Sequence, residues 1–221
     1  MDCCAHGYDD QFDTAQAAKD LKRFRKEGPD PMTRALVNLL RASDLRDATL
    51  LDIGGGIGAI HHELLDSGAR SAVHADASAP YIRTARDEAE RRGHGERLEF
   101  VYGDFVAMAE SIAPADVVTL DKVICCYADM EALVAASAAR ARRLYGAVFP
   151  RDRWFLRVGF RAMNLLQRMR RRAFRVYLHS PEAIDAAVRR QGLERRSVAD
   201  TFVWRVAVYA ATTLETPRPR R

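Results

Sequence analysis

The chain reads as an α/β protein: a seven-stranded, mostly parallel sheet with helices on both faces, a C-terminal antiparallel strand and an N-terminal helical cap. Three features predict this. From residue 49 onward, short apolar runs alternate with segments of helical period, the pattern of strands joined by crossover helices. The first of these runs opens directly into a glycine turn, Gly54-Gly55-Gly56-Ile57-Gly58. Near the end, apolar residues recur at every second position through Phe202, Trp204, Val206 and Val208, which is the period of a strand.

Taken in order, residues 1–12 lack periodicity and are expected to form an irregular, mobile lead. Helical spacing runs over 12–25 and is broken by Gly28, Pro29 and Pro31. A second helix should carry Leu36, Val37, Leu39 and Leu40 on one face, so 1–45 forms the lead and cap. Strands are expected at 49–53, 71–75, 98–102, 116–120 and 144–149, with helices at 79–92, 105–111 and 130–142 between them. Such alternation implies a parallel sheet covered on both sides, with right-handed crossovers. Residues 151–179 read as a helical insertion. Within it, 154–172 is long, amphipathic and arginine-rich, and 174–178 reads as a short strand. Ser180-Pro181-Glu182 supplies an N-cap, a proline at N1 and an early acid, opening a helix to about 191 that Gly192 stops. Strands at 193–198 and 202–210 complete a main domain over 46–215, followed by a basic tail at 216–221.

The 221 residues suit one substantial domain, and a 48% hydrophobic content supplies a core for it. The charge balance is 35 basic against 30 acidic residues, a net of +5 concentrated at 168–175 and 217–221. This mild surplus reads as a solvated helix face and a tail, and no nucleic-acid partner is expected. The four cysteines fall in two adjacent pairs, Cys3-Cys4 and Cys125-Cys126, without the two-residue gap of zinc or thioredoxin-like sites. Cys3, Cys4 and His6 cluster in the polar lead, but no metal site is read from them. The lead is polar, and no apolar run approaches the roughly 18 residues of a membrane span. The expectation is a reduced, cytoplasmic protein whose oligomeric state is left open.

Chemistry concentrates at the strand ends. Glycines after the first strand permit a sharp turn and let backbone N–H groups approach a ligand at the start of the next helix. Gly54, Gly56 and Ala59 also satisfy the dinucleotide pattern, so the turn alone leaves a nicotinamide cofactor open. Asp76 ends the second strand about 20 residues further on, where a carboxylate can accept both ribose hydroxyls of an adenosine. Asp104 ends the third strand, placed to accept from an adenine amino group, with Phe105 against the ring. Asp52 lies just before the turn and is expected to fix it through hydrogen bonds to backbone N–H groups.

These residues resemble a known family. Leu51 to Gly58 is similar to motif I of class I S-adenosylmethionine-dependent methyltransferases, which have a Rossmann-like fold. Ala75-Asp76-Ala77-Ser78, followed by Tyr81-Ile82 and Ala85-Arg86, resembles their second-strand acid and its helix. Gly103-Asp104-Phe105 resembles their adenine-side acid, and 116–129 their fourth strand and loop. The resemblance covers about 30–150. It implies S-adenosyl-L-methionine as cofactor, with Asp52, Ala77 and Phe105 among its neighbours. Gly54, Gly56 and Gly58 would lie near its methionine end, Asp76 at the ribose and Asp104 at the adenine. Leu120 and Asp121 would sit near its amino-acid part. The fourth-strand loop and the C-terminal segment also resemble magnesium protoporphyrin IX methyltransferases, which commonly carry a histidine where this chain has Cys125 or Cys126.

Methyl transfer needs alignment and exclusion of water, and needs a base only when the acceptor must lose a proton. Candidates near the transferred methyl are Tyr127, His61 and His179, although each histidine also reads as structural and Cys125 and Cys126 read as packing. None of the seven tyrosines is followed four residues later by lysine, as a short-chain reductase would require. A non-catalytic binding module on the same fold stays open as an alternative, as does an NAD(P)-dependent reductase. The strand end Leu120-Asp121-Lys122 lacks the Asn/Asp-Pro-Pro-aromatic tetrapeptide of many amino-methylating enzymes. The expectation is therefore a small-molecule acceptor, O-methylated, and flat or anionic. Its pocket should come from the lead and first helix (Tyr8, Phe12, Phe24) and from 151–179, where Trp154, Phe155, Phe160, Met163 and Met169 lie between arginines.

Overall fold

Alternating side chains along the central strands decide the layering. Leu50 and Val117 join one buried cluster, whereas their neighbours Leu51 and Val118 join another on the opposite face of the sheet. In the computed structural model, which describes residues 7–212, the strands are β1 (Thr49–Ile53), β2 (Ser71–Asp76), β3 (Leu98–Tyr102), β4 (Ala115–Asp121), β5 (Ala141–Pro150), β6 (Leu193–Asp200) and β7 (Trp204–Ala211). Cys3, Cys4, His6 and the tail 216–221 lie outside the described residues. The sheet order is β3-β2-β1-β4-β5-β7-β6. The pairs from β3 through β5 are parallel, and β7 runs antiparallel to both β5 and β6. The order reverses between β1 and β4, which opens a crevice at the carboxyl ends of those strands.

The helices are α1 (Tyr8–Gln11), α2 (Thr14–Glu27), α3 (Pro31–Arg41), α4 (Ala59–Asp66), α5 (Ala79–Arg92), α6 (Phe105–Met108), α7 (Met130–Ala138), α8 (Trp154–Met169) and α9 (Pro181–Arg189). Their starts are written in cap residues. Asp30 accepts from the N–H groups of Met32 and Thr33, with Pro31 in the first turn. Ser78 accepts from Tyr81 and Ser180 from Ala183. On one face, Leu133, Val134, Ile184 and Val188 from α7 and α9 pack over Leu51, Val118, Tyr145 and Tyr209. On the other, Leu36 and Leu40 of α3 and Leu64 of α4 pack over Leu50, Val117, Val148 and Val206.

Three expectations are corrected. Residues 8–11 are a helical turn rather than part of an irregular lead, because tertiary contacts hold a segment too short to show a period: Asp9 accepts from the Ala79 N–H and Tyr8 donates to the Cys126 carbonyl. Residues 174–178 form no strand. Asn164 satisfies both backbone groups of Val176, and Tyr177 donates to the Cys125 carbonyl, so side chain and loop replace a ladder. The helix expected over 130–142 ends at Ala138, since Ala141 onward is drawn into β5.

Candidate cofactor and acceptor site

A cavity of about 310 Å³ occupies the crevice, floored by the ends of β1, β2 and β4 and roofed by α1 and α2. Gly54 and Gly56 both have left-handed φ, +60° and +56°, which bends the chain sharply away from β1. At Gly55 the reason for glycine is space. A Cβ there would lie 2.7 Å from Asp52 Oδ2 and 2.6 Å from His74 Nδ1, both buried. The loop backbone is thereby pressed against the sheet.

Asp76 holds the loop. Its Oδ2 accepts from the Gly56 N–H at 2.9 Å and its Oδ1 from the Ser78 N–H at 2.8 Å. Burial lifts its pKa to about 6, against the pull of these amides. The role expected of Asp52 thus falls to Asp76. Asp52 is fully buried behind the loop, accepts from Thr119 Oγ1 at 2.7 Å and meets His61 Nδ1 at 3.2 Å, and burial raises its pKa.

At the third strand end, Asp104 caps α6 by accepting from the Val106 N–H and also accepts from the Tyr127 hydroxyl. Phe105, Ala77 and Tyr127 line the cavity beside it. At the fourth, Lys122 stands at φ +62° and reaches Asp30 Oδ2 at 2.7 Å, Asp121 Oδ1 at 3.1 Å and Thr33 Oγ1 at 3.3 Å. Thr33 also donates to Asp121. Burial lowers the Lys122 pKa, but the two carboxylates outweigh it and hold the ammonium above its ordinary value. Asp30 is lowered because Lys122 outweighs its burial, whereas Asp121 is raised by burial. Lys122 is thus shared between the two carboxylates, and Asp121 Oδ1, though 3.1 Å from the ammonium, is buried without a well-aligned hydrogen bond. Lys122, Asp30 and Thr33 were not singled out from the sequence. Their partners lie 88–92 residues apart, so the only local signal was a short polar pair ending an apolar strand.

Other expected residues stand elsewhere. Gly58 and Leu120 do not line the cavity: Gly58 caps α4 against the His61 ring, and Leu120 is buried in the core. His61 does not line it either. It sits in a buried group with Asp52 and His74 whose metal-ligand-type atoms all lie within 4.8 Å of one another. His62 meets His94 Nδ1 at 3.0 Å beside that group. Burial is the main cause that depresses His61 and His74 to about 3 and His62 to about 2, so all three are neutral near pH 7. His179 contacts the Tyr127 carbonyl at 2.9 Å from outside the lining, so Tyr127 is the candidate base that the cavity contains. Of the two segments expected to build an acceptor pocket, the N-terminal one contributes Tyr8, Phe12 and Phe24. No residue of 151–179 lines the cavity, although Phe174 packs edge-on against Tyr8 and Phe12 behind it.

This arrangement fits S-adenosylmethionine. Each Asp76 oxygen takes one loop amide and keeps lone pairs for ribose hydroxyls. Asp104 and Phe105 line the cavity beyond the third strand, and Asp121 and Lys122 line it beyond the fourth, so carboxylates stand at both strand ends. Comparison with known proteins agrees. Residues 50–145 match the family model described as a methyltransferase domain. Magnesium protoporphyrin IX methyltransferase from Synechocystis PCC 6803, solved with bound S-adenosylhomocysteine, superposes with a TM-score of 0.66 at 18% identity, covering 89% of this chain and 96% of that one. An O-methyltransferase family protein from Burkholderia thailandensis gives 0.73 at 16% identity, covering 96% and 64%. Ribosomal protein L11 methyltransferase from Escherichia coli O8 is 38% identical over 72 residues, 33% of this chain. The chain spans about a quarter of the length of such curated relatives. The likeness to these solved structures shows a Rossmann-like fold, and within it residues 50–145 match a methyltransferase domain.

Proposed function

We propose that the chain is an S-adenosylmethionine-dependent methyltransferase that O-methylates a small molecule. The observation that carries this reading is the roof of the cavity. Tyr8 and Phe12 of the N-terminal segment lie over the strand ends, fastened by Tyr8 to the Cys126 carbonyl, by Asp9 to the Ala79 N–H and by the Phe12 carbonyl to Ser78. The space left beneath is lined with aromatic rings and suits a compact, flat acceptor. When bound, the cofactor supplies an electrophilic methyl carbon for in-line displacement. The residues of the chain do the rest. Asp76 and the glycine loop orient the ribose and methionine portions, and Asp104 with Phe105 fixes the adenine. Asp121 receives the ammonium, while α1 excludes water above the acceptor. Lys122 and Tyr127 line the same cavity, and a carboxylate acceptor would need no base from either.

A protein acceptor is the second reading, motivated by the likeness to ribosomal protein L11 methyltransferase. One experiment separates them. The protein is incubated with methyl-labelled cofactor and a host extract divided into metabolites and macromolecules. Label in a small organic acid or hydroxy compound supports the proposal. Label confined to polypeptide replaces it with the second reading.

A further inference from the structure

Helix α8 inverts the ordinary rule of burial. Nine large hydrophobic side chains are exposed among the described residues, and six belong to α8: Trp154, Val158, Met163, Leu165, Leu166 and Met169. No residue of this helix is buried. At about 100° per residue, Trp154, Val158, Leu165, Leu166 and Met169 fall within about 120° of arc, forming one continuous stripe. The helix holds the body of the protein by its other side, through Asn164 to Val176 and Gln167 to Gln11. Phe202 is 72% exposed and stacks on Phe155 at 4.8 Å, which extends the apolar surface past the helix start.

The charge around the stripe is one-sided. Residues 153–179 contain eight arginines and no acid. Arg157 closes on Asp152, but the guanidinium groups of Arg161, Arg168, Arg170 and Arg171 form no ion pair with any described residue. Arg157, Arg161 and Arg168 lie together along one flank of the stripe by the same helical spacing. A second copy of the chain would cover the apolar face only by bringing two cationic flanks together. A nucleic acid would take the charge but leave aliphatic side chains in water.

We propose that α8 docks the protein on an anionic lipid surface. Trp154, Val158, Leu165 and Met169 enter the boundary between headgroups and acyl chains, and Arg161, Arg168 and the arginines after the helix meet lipid phosphates. A cationic flank beside an apolar stripe ending in tryptophan is the pattern of a helix lying in a membrane interface. The cavity is lined by none of these residues, so docking stands or falls independently of methyl transfer.

The test is co-sedimentation of the whole protein with vesicles of phosphatidylcholine, with and without phosphatidylglycerol. Binding is expected only with the anionic lipid, weakened by added salt. Leu165→Gln with Met169→Gln should weaken it by about tenfold or more, as should Arg161→Gln with Arg168→Gln. Tryptophan emission should shift to the blue on binding, and Trp154→Phe should abolish that shift. All these side chains are exposed, so circular dichroism and S-adenosylhomocysteine affinity should match the parent in each variant. Absence of binding to the anionic vesicles, equal binding to neutral ones, or unchanged binding by either double variant would overturn the proposal. So would self-association by ultracentrifugation that the Leu165 and Met169 changes abolish while vesicles are ignored.

Discussion

Replacing Asp76 by alanine removes the carboxylate that holds the glycine loop and is proposed to hold the ribose. In the parent, its two oxygens each accept one loop amide, from Gly56 at 2.9 Å and from Ser78 at 2.8 Å, and both keep capacity for ribose hydroxyls. A hydrogen bond to a charged group contributes about 1.5–3 kcal/mol. Losing the ribose contacts should therefore weaken S-adenosylmethionine binding by roughly 10- to 150-fold. Asparagine at this position keeps one acceptor oxygen and should fall between parent and alanine. Ribose hydroxyls favour the ionised form, and burial has raised the Asp76 pKa to about 6. Affinity should thus be level above pH 7 and fall as pH drops through 6, a dependence the alanine variant lacks. For the free protein the sign is opposite: a raised carboxylate contributes stability below its unfolded pKa and loses it as pH rises through about 6. Calorimetric titration between pH 5.5 and 8, with circular dichroism as the folding control, measures both effects. A folded alanine variant with the parent affinity, or one retaining the parent pH profile, would refute the reasoning.

Three further outcomes follow from the same structure. His62 is buried and its pKa is depressed to about 2, so its contribution to stability is present above pH 6.5 and is lost as pH falls. The stability of the parent minus that of His62→Gln should decline by about 1.4 kcal/mol per pH unit below 6.5 in urea titrations, and a constant difference would contradict the assignment. Gly55→Ala places a methyl 2.6 Å from His74 and 2.7 Å from Asp52; overpacking of about 1–3 kcal/mol should lower Tm by about 2–4 °C per kcal/mol, whereas an unchanged Tm would show that the loop yields freely. Phe12→Ala removes ring contacts to Tyr8, Tyr81 and Phe174, so amide exchange over 8–12 should accelerate and acceptor KM should rise more than cofactor Kd; equal rises would move Phe12 from the acceptor side to the cofactor side.

The strand-end part of the candidate site was legible because its signals are local. A strand running into Gly54-Gly55-Gly56, an acid ending β2 and an acid ending β3 each announce themselves within a few residues, and parallel pairing brings the three strand ends together. What depends on distant partners was not. Asp52 was expected to bond the loop, but its partners Thr119 and His61 come from another strand and a helix. Lys122 gains its role from Asp30, which a local reading sees only as a residue between two prolines. In α1, four residues are too few for a period, and the helix exists through its contacts with α5 and the fourth-strand loop. The apolar stripe of α8 was readable, yet periodicity alone does not say which way a stripe faces. The usual inference is inward, and here Trp154 and Met169 stay about three-quarters exposed.

The central claim is that the cavity at the β1–β4 crevice holds S-adenosylmethionine. Isothermal titration of the whole protein with S-adenosylmethionine, S-adenosylhomocysteine, NAD and NADP tests it most directly. The account predicts one-site binding of both sulfur ligands and no heat from either nicotinamide. Nicotinamide binding without any response to the sulfonium cofactor or its product would contradict it.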